Sequence, residues 1–168
     1  MEGHPAARAV RPQAAADPER TLVATRVFDA PREDVFRAWI DAAQLAKWMG
    51  PRSIVRADAT KLDARPGGGY RIVMHADSGN TYTVGGIYRE VVPPERLVFT
   101  WAWEGGGDSR PGGETLVTVT FRAIGRKTEM TLRHEFFETK ETRDQHNSGW
   151  DGSFDKLSEL LSGAKGRA

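Results

Sequence analysis

Cysteine is absent from the chain, which excludes a disulfide framework, a thiolate metal centre and a cysteine nucleophile, and leaves no redox mark of compartment. Long apolar runs are missing as well, and no stretch approaches the ~18 consecutive apolar residues that a membrane span requires. Neither sign of charge dominates. With 24 basic and 23 acidic residues the formal net charge is +1, so no strong field draws in nucleic acid or an anionic membrane. The nearest approach to a basic patch, Arg122, Arg126, Lys127 and Arg133, reads as a solvated face and a turn. No lysine-serine pair follows Pro66-Gly67-Gly68-Gly69, so these glycines make a hairpin turn and not a phosphate loop. No Gly-x-Ser-x-Gly elbow presents a serine nucleophile. Histidine is scarce, with four in the chain. His75 falls near a strand end and His146 near a helix start, and both are expected to be exposed. A histidine metal site needs three such residues and a carboxylate to converge, so neither metal nor cofactor is expected.

What is present suits one domain. A chain of 168 residues can bury roughly 70% of its unfolded surface without metal or disulfide. Met1 to Arg20 holds Pro5, Pro12 and Pro18 with Arg8 and Arg11 but no apolar core, so it reads as a flexible leader and not a secretory signal. A cytoplasmic location is the default expectation. The folded domain is predicted over 21–163, with a short tail at 164–168.

The apolar pattern divides that domain. Thr21 to Asp29 reads as a strand. Pro31, Glu33 and Asp34 then suit the start of a helix, and Val35, Phe36, Trp39 and Ile40 form its apolar stripe. Asp41, with Gln44 three residues on, caps a second short helix carrying Leu45 and Trp48 and ending at Gly50-Pro51. From Ile54 the period becomes two, with strands predicted at 54–63, 69–77, 80–91, 96–104, 115–124 and 127–137. Short turns between them imply an antiparallel meander, and Gly85-Gly86 suggests a bulge or sharp bend. Thr142 with Gln145 predicts the cap of a last helix, and Gly163 its end. Trp150, Phe154, Leu157, Leu160 and Leu161 repeat at helical spacing and need the sheet as partner. The fold class is α+β: a curved antiparallel sheet wrapped around a long C-terminal helix.

Alternation places Leu97, Phe99, Trp101 and Trp103 on one face of their strand, Val117, Val119 and Phe121 on one face of the next, and Met130, Leu132, His134 and Phe136 together on the last. Large rings thus converge between sheet and helix, and a sheet curled round one helix leaves part of its concavity unfilled. Gly149 and Gly152 flank Trp150, each costing about 1 kcal/mol against alanine inside a helix, which suggests open space or close backbone approach there. A ligand-sized apolar pocket is predicted. Its candidate lining is Trp48, Met74, Tyr82, Trp101, Trp103, His134, Phe136, Trp150 and Phe154, with Tyr82 and His134 orienting a polar group. His134 is the one titratable group on the apolar face and the single candidate for acid–base chemistry, set against a role as a buried, hydrogen-bonded histidine.

These pieces, in order, resemble a known family. Ala30-Pro31 with Glu33, Val35 and Phe36, then Trp48 with Gly50-Pro51, Pro66-Gly67-Gly68, Gly86 before Tyr88, and the run from Pro93 to Trp101 look like Hsp-90 chaperone ATPase activator-like domains. His134-Glu135-Phe136 and Gly149-Trp150 with Phe154 and Leu157 continue the series over about residues 21–162. The resemblance implies the helix-grip fold of the START-like (SRPBCC) superfamily, with two short helices after strand one. It implies a cavity for lipids, polyketides or other hydrophobic molecules, with cyclisation or hydrolysis in a few members. It also implies a chaperone as an alternative partner; the sequence leaves monomer and homodimer both open.

Overall fold

The computed structural model describes residues 17–104 and 113–166, the side chains of 164–166 excepted. The leader as far as Ala16 and most of the glycine-rich loop after Glu104 lie outside the described residues. Strand β1 (Thr21–Phe28) leads into α1 (Arg32–Ile40) and α2 (Ala42–Trp48). Strands β2 (Ile54–Leu62), β3 (Gly69–Ala76), β4 (Thr81–Val92), β5 (Arg96–Trp103), β6 (Thr115–Ile124) and β7 (Lys127–Glu135) follow, then α3 (Lys140–Gly166). The seven strands form one sheet in the order β1-β7-β6-β5-β4-β3-β2, every pair antiparallel. The first strand closes on the last, so the meander curls and its concave face receives α3. This is the helix-grip architecture that the resemblance implied.

The local chemistry explains the joints. Asp41 accepts from the amides of Ala43 and Gln44 at the start of α2, satisfying donors that a helix end otherwise leaves unpaired. Pro31 precedes α1 with an extended backbone, and Glu33 and Asp34 occupy its first turn. Gly86 leaves no room for a side chain against the neighbouring strand: a Cβ there would sit 2.0 Å from the Thr100 carbonyl oxygen. The register shift expected near it falls a little later, between Tyr88 and Glu90.

Two features depart from the expectations drawn from sequence. Helix α3 begins before Thr142, because Thr139 is its cap, with the Thr142 amide donating to Thr139 Oγ1 at 3.0 Å. It also runs through Gly163 to Gly166. A glycine ends a helix only when a left-handed residue is needed there, and Gly163 stays helical. Strand β5 is buried on both faces at its centre, since Val98 and Thr100 are as sequestered as Leu97, Phe99 and Trp101.

Candidate functional site

The space between sheet and α3 is not uniform. Toward the C-terminal end of α3 it is filled by Phe154, Leu157 and Leu161 against Phe28, Val35, Trp39, Met130 and Leu132, all buried. Toward its N-terminal end the helix carries Thr142, Gln145, His146, Gly149 and Ser153, and there a cleft of about 640 Å³ opens. Its walls come from the turn after α2, from β3, β4 and β5, from the chain entering β6, and from the chain after β7.

Six of the nine predicted lining residues meet in this cleft: Met74, Tyr82, Trp101, Trp103, Phe136 and Trp150. Three do not. Trp48 is fully buried between α1 and α2, with its indole N–H donating to the Ala38 carbonyl at 3.0 Å. The next residue, Met49, takes the wall position, because α2 ends at Trp48 and the chain turns there. Phe154 lies one helical turn behind Trp150, stacked on it at 5.6 Å, and belongs to the packed core. His134 is completely buried behind the wall, beside Trp101 and Trp150.

Phe136 reaches the cleft by a route that alternation does not describe. Strand β7 stops at Glu135, and Phe136 adopts φ +75°, the left-handed region. That conformation is strained for a bulky side chain. It reverses the strand's phase, so Phe137 is 1% exposed in the core while Phe136 is half-buried at the rim. Both touch the cleft.

The glycines divide as well. Gly149 lines the cleft, and a Cβ on it would meet nothing closer than Pro51 Cδ at 3.9 Å. Gly152 lies where the Pro51 backbone crosses the helix, and a Cβ on it would lie 3.2 Å from Pro51 Cα. The crossing segment is held by Lys156, whose ammonium donates to the Pro51 and Ile54 carbonyls at 3.1 and 2.9 Å, and by the Arg52–Glu159 ion pair. Burial lowers the Lys156 pKa.

Behind the wall runs a chain of hydrogen bonds whose direction can be assigned. An indole N–H only donates, so Trp150 Nε1, 3.1 Å from His134 Nδ1, makes that nitrogen an acceptor. His134 is therefore neutral, and its Nε2–H donates to Thr115 Oγ1 at 2.7 Å. Thr115 in turn donates to the Trp101 carbonyl at 3.0 Å. Every link is satisfied, and both ring nitrogens are occupied. Protonating His134 requires breaking the bond from Trp150, and burial, with His146 nearby, pushes its pKa well below the imidazole value. This geometry fixes the Trp150 ring and ties the Trp101 backbone, and it leaves His134 no free lone pair for proton transfer.

His146, expected to be exposed, is half-buried on the cleft wall. Trp103 Nε1 donates to its Nε2 at 3.0 Å, and its Nδ1–H donates to the Thr142 carbonyl at 2.9 Å. It too is held neutral, its pKa lowered by burial. Its ring lies 5.3 Å from that of His134 and 4.8 Å from Phe137. The partnership links β5 to α3 across the cleft, which sequence spacing within the helix does not reveal. His75 instead pairs with Asp58 at 3.0 Å, away from the cleft. Among the described residues no cluster of histidine and carboxylate side chains has metal-binding geometry, and no described helix is long and apolar enough to cross a membrane.

The model of one family, Activator of Hsp90 ATPase homolog 1-like protein, matches residues 29–162. The chain belongs to that family. The Activator of Hsp90 ATPase homolog 1-like fold is repeated in solved structures. A protein from Chromobacterium violaceum is 31% identical, with a TM-score of 0.77 over 84% of this chain and 96% of that one. The AHSA1 protein from Silicibacter pomeroyi is also 31% identical, with a TM-score of 0.72 over 84% and 97%. A protein from Arthrobacter aurescens, 22% identical with a TM-score of 0.76 over 89% and 87%, shares the fold. No curated protein matches the sequence.

Proposed function

We propose that this domain binds a small hydrophobic molecule in the cleft between sheet and α3. The observation that carries the reading is a space of about 640 Å³ walled by Trp101, Trp103, Trp150, Phe136, Met49 and Met74. That volume falls within the ~300–1,000 Å³ range of small-molecule sites. Aromatic rings offer large apolar area with few torsions to freeze, and the two methionines adapt to ligand shape. The hydrogen bond to His134 keeps the Trp150 ring in a fixed orientation, which lowers the cost of ordering it on binding.

Acid–base catalysis at His134 finds no support in this geometry, since both of its nitrogens are engaged. The family's description favours a second reading, stimulation of a chaperone ATPase by direct contact; an unchanged chaperone ATPase rate on adding the domain would remove it.

The cleft is tested by filling it. Gly149→Trp projects a ring into the space, and abolished binding of a neutral probe such as Nile red, with an unaltered far-UV circular dichroism spectrum, is the expected result. Undiminished probe affinity in a folded variant overturns the site. Gly152 is the wrong place for this test, because a side chain there meets the Pro51 backbone first.

A further inference from the structure

The five tryptophans divide by what their N–H groups meet. Trp48, Trp103 and Trp150 each donate to a protein acceptor. Trp39 Nε1 and Trp101 Nε1 are buried and make no hydrogen bond with any described residue. Trp39 is 3% exposed and Trp101 4%, so neither indole has bulk water as a substitute. A buried donor without a partner is uncommon and costly in a native fold. Both rings line one small void of about 10 Å³, room for a single oxygen-sized group. Trp101 and Met49 line that void and the large cleft alike, and of the two Met49 is the unbranched, adaptable side chain. The charged groups add a second selection. Among the described residues lining the cleft there is no lysine or arginine, and the one charged side chain is the exposed carboxylate of Glu138.

We propose that the cleft selects an uncharged apolar ligand bearing a carbonyl-type acceptor, whose oxygen passes Met49 and accepts the N–H of Trp101, with Trp39 as the second donor. A carbonyl oxygen has two lone pairs and no proton, and so complements two groups that only donate. From the described lining an anion gains no counter-charge, and it loses its hydration. The inference rests on the cleft being a ligand site, and the experiment separates the two.

Three probes of one shape serve: 2-acetylnaphthalene, 2-ethylnaphthalene and 2-naphthoate, each titrated into protein carrying 15N-labelled indoles and followed by NMR. The ketone is expected to bind about two- to thirteen-fold tighter than the hydrocarbon, the net value of one neutral hydrogen bond. It should move the Trp101 indole resonance downfield, and naphthoate should bind more weakly than the ketone. Trp101→Phe should narrow the difference between ketone and hydrocarbon, and a Trp39→Phe, Trp101→Phe double variant should bring the two to equal affinity. Where these variants fail to fold, the downfield shift in the wild-type protein decides alone. Equal binding of ketone and hydrocarbon, with the Trp101 resonance unmoved while those of Trp103 and Trp150 respond, overturns the acceptor assignment but keeps the cleft; a water bridging the two indoles would give that result. Naphthoate binding as tightly as the ketone overturns the selection against anions. No response to any probe removes the ligand site, and the inference with it.

Discussion

One helix and one sheet make two different interfaces in this molecule. Where Phe154, Leu157 and Leu161 of α3 face the sheet, the rings of Trp39, Trp48 and Phe99 fill the space and are all buried. Where the same helix presents His146, Gly149 and Ser153, the rings of Trp101, Trp103 and Trp150 border a cleft. The aromatic content is similar on both sides. What differs is the helix: three large apolar residues close one end, while a glycine and two small or polar residues leave the other open. A packed core and an open cleft therefore arise on the same sheet by a change in side-chain size along α3.

The largest test of that contrast is truncation on each side. Phe154→Ala should destabilise by about 3–5 kcal/mol, the cost of a buried ring plus the cavity it leaves. Trp103→Ala, at the half-buried rim, should cost only about 1 kcal/mol while weakening probe binding. Urea unfolding measures both, and equal losses would show that the cleft end is core after all.

Acidity should act on the cleft side. His134 and His146 are both held neutral, with pKa values below the free imidazole value of ~6.5. As pH falls the unfolded chain takes up protons before the fold does. Stability is thus complete above about pH 6.5 and declines as pH drops toward the folded-state values. The slope is at most ~1.4 kcal/mol per pH unit for each histidine. Urea midpoints at pH 7.5 and 5.5 should differ in the wild type, and the difference should shrink in a His134→Phe, His146→Phe double variant. An unaltered slope would assign the effect to other groups.

The smallest test compares two glycines three residues apart. Gly149→Ala should stabilise by about 0.5–1 kcal/mol through helix propensity, since its methyl enters open space. Gly152→Ala should gain little or nothing, because its methyl lies 3.2 Å from Pro51 Cα. Equal gains in melting temperature would contradict the close crossing at Gly152.

Much of this was legible in the sequence because it depends on local chemistry. The strand faces of β5, β6 and β7 follow from alternation, the Asp41 cap from its side chain, and the order of elements from turn residues. The exceptions share a physical origin. A left-handed phenylalanine at 136 has no residue signature, so the phase change that moves Phe137 inward was invisible. Trp48 and Met49 exchange roles because a helix end decides which of two neighbours faces the cleft. His146 and Trp103 find each other across 43 residues, and Thr139 and Thr142 are equally good caps until the path of the chain after β7 is known. The six predicted residues that meet in the cleft lie on regular strands or helix, or beside one.

The unbroken run of α3 through both interfaces has an evolutionary consequence. Its later turns carry the packed core; its first turns line the cleft. Under the ligand reading proposed above, substitutions at 145, 146 and 149 would exchange one ligand for another while leaving Phe154, Leu157 and Leu161 untouched. A lineage built on this plan would then diversify its specificity without first acquiring extra stability to tolerate the change.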